Sequence, residues 1–196
     1  MAAASLVSGL PEGAAELDDA TLEGCRAGNA ASLRTFVGRY EHMVFAFLSR
    51  SLGAGPHIED LAQEVFLRAC RALPTFDRAG SARLSTWLLT IAARVAIDAR
   101  RKRQLPIAPL DADLVVAASG TPETEQRRRE IAGAVDRAAR TLSDEQRDAF
   151  VLTEFHGLDT KELATVLGIP EATAKTRLFR ARERLRAALR AVWEEE

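Results

Sequence analysis

The chain has 196 residues, of which 47% are hydrophobic and 28% charged, with a formal net charge of -1. That balance suits one globular domain or two small ones and excludes a uniformly basic nucleic-acid coat. Its two cysteines, Cys25 and Cys70, lack metal-type spacing, and no window nears ~18 uninterrupted apolar residues, so a disulfide framework and membrane insertion are not expected.

In chain order, residues 1–17 are small, Gly- and Ala-rich and without periodicity, which predicts a disordered segment. They hold no basic leader before an apolar stretch, so no secretory signal is read there. A helix then starts at Asp18 or Asp19 and stops at Gly28. The next helix follows a cap at Asn29. It carries Leu33, Phe36, Val37, Tyr40, Met43, Val44, Phe47, Leu48 and Leu52 at three- and four-residue steps, and Gly53 stops it. "IEDLAQEVFLRACRAL" runs to Pro74, which ends it, with Leu61, Val65, Ala69 and Leu73 as its apolar stripe. The loop "FDRAGS" leads into a long helix whose inward face reads Leu84, Trp87, Leu88, Ile91, Ala92, Val95 and Ala99. That helix ends in Arg100, Arg101, Lys102 and Arg103.

Residues 104–125 lose all periodicity and predict a linker. A second helical module occupies 126–193. Ser143 with Gln146, and Asp159 with Glu162, each have the spacing of a capping box. Gly157 and Gly168 stop the two helices so started. The last helix follows the turn Ile169-Pro170. With no strand signal, the predicted fold is all-α: two small helical domains, 18–103 and 126–193, joined by a flexible linker.

Thr160 to Leu189 has the outline of a helix-turn-helix. Ala164 permits close approach, while Leu163, Val166, Leu167 and Ile169 fill the angle against Ala174 and Leu178. Thr173, Lys175, Thr176, Arg177, Phe179 and Arg180 are left near the outer N-terminal part of the second helix, the part that enters a major groove. From Lys175 to Arg190 there are seven bases and one acid, Glu183, which favours phosphate contact over an ion-paired surface.

Other features carry two readings or none. The Arg100–Arg103 run reads as phosphate contact or as a solvated helix end suited to the dipole. Phe76, Arg78, Ser81, Arg83 and Trp87 read as a clasp for an unstacked base or, for the two aromatics, as core anchors. The polar face of Asp60, Gln63, Glu64 and Arg68 has no function on periodicity alone. No nucleophile, phosphate-loop or metal-ligand signature is present; Asp98 and Glu154 read as surface acids or ion-pair partners. Neither enzymatic activity nor a cofactor is expected.

Three stretches together, "EDLAQEVFLRACRALPTFD", "STWLLTIAARVAIDARRKR" and "LSDEQRDAFVLTEFHGLDTKELATVLGIPEATAKTRLFRARERLR", resemble the sigma factors of bacterial RNA polymerase. The two-module layout resembles their compact extracytoplasmic-function (ECF) class. The resemblance implies that Asp60, Leu61, Gln63, Glu64 and Arg68 dock on core RNA polymerase. It implies that Phe76, Arg78, Ser81, Arg83, Trp87, Arg94, Arg100, Arg101 and Arg103 meet the minus-ten element. Thr173, Lys175, Thr176, Arg177, Phe179 and Arg180 then meet the minus-thirty-five element. By the same resemblance, many members of the class carry an asparagine where this chain has Arg94, and the arginine changes what can be hydrogen-bonded there.

The implied function is that of an alternative sigma factor in the cytoplasm. It binds core polymerase, directs it to promoter DNA, helps melt the minus-ten element and is held by an anti-sigma factor. Free in solution, the modules are expected at variable separation along the linker. The competing functions are a stand-alone helix-turn-helix regulator and a helical adaptor that binds polymerase without opening DNA.

Overall fold

The structure, a computed structural model, describes residues 16–77, 83–103, 138–139 and 141–193. Seven labelled α-helices and one 3-10 turn are present among them, and no strand. The helices are α1 (Asp19–Arg26), α2 (Ala30–Leu52), α3 (His57–Ala72), α4 (Leu84–Arg103), α5 (Asp144–Glu154), α6 (Thr160–Leu167) and α7 (Glu171–Trp193). The linker and most of the first helix expected in the second module lie outside the described residues.

Local signals set the boundaries. Asp18 caps α1, accepting from the Thr21 amide, and Asn29 caps α2 through the amides of Ala31 and Ser32. Both capping boxes form: Ser143 with Gln146 on α5, and Asp159 with Glu162 on α6. Gly168 closes α6 in the left-handed region, at φ 64°, where a side chain is strained. Pro74 tightens the end of α3 into the 3-10 turn Leu73–Thr75.

Of the segment expected to be disordered, residues 1–15 lie outside the described residues, while Glu16 and Leu17 are described and engaged. Leu17 is buried. Glu16 accepts from the Leu84 amide at 3.1 Å and the Ser85 hydroxyl at 2.8 Å, and Tyr40 donates to it. The carboxylate thus satisfies donors at the N-terminus of α4, where the dipole also favours an anion. Its position 68 residues before Leu84 hides that role from any local pattern. Cys25 and Cys70 are free thiols. Burial pushes both up from the ordinary thiol range, which suits inert fillers.

The modules are not independent. One hydrophobic core runs from Phe36, Val44, Phe47 and Leu88 in the first module to Val151, Leu152 and Leu163 in the second. Helix α4 packs on α2 and α3, and also on α6; α2 also packs on α5. This corrects the expectation of variable separation. The physical reason is a second buried face on α4. Its sequence-read face is right in Leu84, Leu88, Ala92, Val95 and Ala99, whereas Trp87 and Ile91 are only partly covered. Thr86, Leu89, Ala93 and Ala96 are buried as well. They share a stripe with Arg100, and Thr86 and Arg100 both bond residues of the second module. A helix apolar on two sides is a helix sandwiched between partners.

At the α2–α5 contact, the Arg50 guanidinium lies 4.4 Å from the centroid of Phe155, a cation–π stack. Next to it, His156 meets Phe47 edge-on at 6.0 Å, with both ring nitrogens buried and unpartnered. Burial first, then the charges of Arg50 and His42, push the imidazole from 6.5 down to about 3. The unfolded chain therefore binds the extra proton throughout that window. Stability present above pH 6.5 is lost as pH falls toward 3. Denaturant titrations at about pH 7.5 and about pH 5 should show a smaller loss in His156→Leu than in the parent.

Candidate polymerase and promoter interfaces

Helix α3 buries Ile58, Ala62, Val65, Phe66 and Ala69. Its opposite face carries Asp60 and Gln63, both exposed, and Glu64 and Arg68, with side chains 41% and 37% exposed. Arg68 donates to Glu64 at 2.5 Å and to Asp98 at 3.4 Å. It thereby ties this face to α4 and gives Asp98 the ion-pair role expected of it. Leu61, expected on the docking face, is partly buried against the core instead. Leu67 was missed by sequence reasoning: it is 58% exposed, one helical turn from Gln63 and Glu64. Its signal was a lone apolar residue at i+3 and i+4 from a polar pair.

The residues expected at the minus-ten element separate into four groups. Arg94 and Arg101 are exposed on α4. Phe76 is a core anchor: it is 7% exposed, lies 5.0 Å from Trp87 between ring centroids, and its carbonyl accepts from Arg26. A ring so packed is not a free platform for a base, so the clasp assigned to Phe76 is corrected to packing. Trp87 is partly covered in the same contact.

Arg100 and Arg83 form the third group, turned toward the second module. Arg100 is not a solvated helix end here. It donates to both carboxylate oxygens of Asp148 at 2.7 Å, and to the Ser51 carbonyl at 3.1 Å, with Asp144 3.7 Å away. The Arg100 and Asp148 side chains are 14% and 3% exposed. Burial opposes the Arg100 charge, but the bonds and charge of Asp148 hold the guanidinium above its ordinary value. Arg83 pairs with Glu162 at 2.9 Å. Arg78, Ser81 and the Arg103 side chain are the fourth group and lie outside the described residues.

The helix-turn-helix forms as expected. Leu163, Ala164 and Val166 of α6 and Ala174 and Leu178 of α7 are buried, with Leu167 and Ile169 packed beside them. Lys175, Thr176, Phe179 and Arg180 are exposed together near the N-terminal half of α7, with Phe179 63% exposed. Thr173 is half-buried. Arg177 is turned aside to Glu145 at 2.9 Å, with a side chain 24% exposed. The excess of bases is therefore partly an ion-paired surface after all. Arg182 pairs with Glu154 at 2.6 Å, and Arg184 donates to the Thr141 carbonyl at 2.9 Å. Periodicity along α7 could not register these partners because they belong to other segments.

Two packed helical modules, one ending in a helix-turn-helix with an exposed basic and aromatic face, define a DNA-binding transcription factor. The model of sigma-70 region 2 matches residues 36–105, and that of sigma-70 region 4 matches residues 132–185. The RNA polymerase sigma-H factor of Pseudomonas aeruginosa is 31% identical, over 89% of this chain and 94% of that protein. The ECF RNA polymerase sigma factor SigW of Bacillus subtilis is 32% identical, over 84% of this chain and 92% of that one. The sigma factor RpoE of Bartonella quintana, solved with the anti-sigma factor NepR, has a similar fold. Its TM-score is 0.60 at 24% identity, over 80% of this chain and 96% of that one.

The chain belongs to the sigma-70 family of RNA polymerase sigma factors, in its extracytoplasmic-function class. It is an alternative sigma factor, a transcription initiation factor and not an enzyme, with core RNA polymerase and promoter DNA as its partners. No described helix is long and apolar enough to cross a membrane.

Proposed function

We propose that residues 18–103 dock on core polymerase and engage the minus-ten element, while residues 126–193 read the minus-thirty-five element. The observation that carries this assignment is the shared exposed face of Lys175, Thr176, Phe179 and Arg180 on the second helix of a formed helix-turn-helix. Arginine there can bind phosphate or the edge of guanine, and the aromatic supplies apolar contact to a thymine methyl. On α3, Asp60, Gln63, Glu64 and Arg68 surround exposed Leu67, an apolar centre within a polar rim. Arg94 and Arg101 are positioned on the solvent side of α4 for DNA backbone.

Its place of action is the cytoplasm, where polymerase and promoters meet. An anti-sigma factor is proposed as a further partner, on the likeness to a sigma factor solved with one. Run-off transcription with purified core polymerase, on fragments of the source genome, tests the function. Start-site-specific transcripts that require this protein are expected, and their upstream sequences give both elements. DNA shifted by the protein alone, with no transcript, would instead indicate a stand-alone regulator. Polymerase binding without transcripts would indicate an adaptor.

A further inference from the structure

Among the described residues, no neighbouring side chain caps α4. Arg83 precedes it; its carbonyl accepts from the Trp87 amide at 2.9 Å, but a guanidinium holds no acceptor. The amides of Leu84 and Ser85, orphaned at the helix start, turn instead to Glu16 at 3.1 and 3.4 Å, and the Ser85 hydroxyl donates to it at 2.8 Å. Tyr40 donates to the same carboxylate at 3.4 Å. Burial first, and then the Glu16 charge, push the Tyr40 phenol up to about 12, so its hydroxyl stays a donor. Arg26, at the end of α1, donates to the Phe76 carbonyl, and the Phe76 ring lies 5.0 Å from Trp87. Leu17, Leu22 and Cys25, buried in the core, fix the segment that supplies both side chains. Phe76, Leu84, Ser85 and Trp87 are therefore one unit, held by Glu16 and Arg26.

We propose that Glu16 and Arg26 are positioning residues for minus-ten engagement, which hold the first turn of α4 and the Phe76–Trp87 contact in the arrangement that receives the DNA. This rests on the reading that the first module engages the minus-ten element. Both residues lie ahead of the sigma-70 region 2 match, which begins at residue 36. Neither needs to touch DNA. Trp87 closes the first turn of α4, and Arg94 and Arg101 follow on the same helix, exposed. The start of a helix frays when its cap is lost. A surface that is ordered only part of the time binds more weakly by that fraction. Arg26 restrains the same turn through Phe76 and the indole on which it packs.

The test uses the full chain in holoenzyme and a fork-junction probe whose minus-ten element comes from a run-off promoter and is left single-stranded. A second probe, otherwise identical, carries abasic sites through that element. Glu16→Ala should weaken binding of the intact probe about fivefold, as the loss of a helix cap does, and of the abasic probe less than about twofold. Arg26→Met keeps an aliphatic stem, removes the donor and should act in the same direction. Glu16→Gln should recover most of the loss, because its amide oxygen accepts from Leu84 while its NH2 reaches the hydroxyls of Ser85 and Tyr40. Affinity for core polymerase should be unchanged in all three. A role in stability alone lowers both probes and core binding together, and that result overturns positioning. So do unchanged affinities for the intact probe in both Glu16→Ala and Arg26→Met. The parent separates the two readings. If it binds the intact and abasic probes alike, the minus-ten reading itself fails and this inference with it. If it prefers the intact probe and both variants match it, only the positioning role is lost.

Discussion

Leu67→Asp is expected to weaken binding to core polymerase by about 2–3 kcal/mol, roughly 30- to 150-fold in affinity, while leaving the fold intact. Leu67 is 58% exposed on α3, and an exposed substitution of this kind changes stability by only about 0.5 kcal/mol. Its neighbours are polar or charged: Gln63, Glu64 and Arg68. An apolar side chain left uncovered among them gains most when a partner covers it. Aspartate there loses that burial and buries a charge in its place. Titration of labelled core polymerase, with thermal unfolding alongside, measures both quantities. Unchanged affinity would move the docking face away from the outer side of α3.

Arg180→Ala is the second large effect, about 1–3 kcal/mol at promoters that carry the preferred minus-thirty-five element. Arg180 is exposed beside Phe179 and Thr176 on α7 and makes no ion pair among the described residues. It is thus free to bind DNA without first breaking a bond. Arg177, held by Glu145 at 2.9 Å, is not. The form of the loss separates two roles. An Arg180 that reads a base edge loses discrimination at one position. An Arg180 on phosphate weakens all promoters alike and lowers the salt slope by about 0.9. Holoenzyme titrated onto matched and single-mismatch promoters at several salt concentrations distinguishes them. Arg177→Ala should have the smaller effect, and the reverse order would overturn the assignment of the reader face.

The contrast between these two arginines reflects how much of the site was legible beforehand. The helix-turn-helix was, because its buried contacts lie within one short stretch, from Leu163 to Leu178. So were the polar side chains of α3, although only the family resemblance attached a role to them. The exposed Leu67 was not picked out, because a single leucine breaks no pattern. Phe76 carried two meanings in the sequence, base platform or core anchor, and its contact with Trp87 at 5.0 Å selected the second.

The chain's own sequence determined where its helices start and stop. A cap is made between residues two or three apart, as in Asp18 to Thr21, Asn29 to Ser32, Ser143 to Gln146 and Asp159 to Glu162. It is therefore written locally and survives any change in the surroundings. It determined as well the two-module order and the last helix with its excess of arginine. The tertiary structure decided which charges are spent internally. Arg100 meets Asp148 across 48 residues, Arg83 meets Glu162 across 79, and Glu16 caps a helix 68 residues away. No periodicity carries such pairings, because they depend on how α4 lies between α2 and α6. The basic end of α4 is therefore divided between exposed Arg101 and Lys102 and inward-turned Arg100, a division that only packing could make.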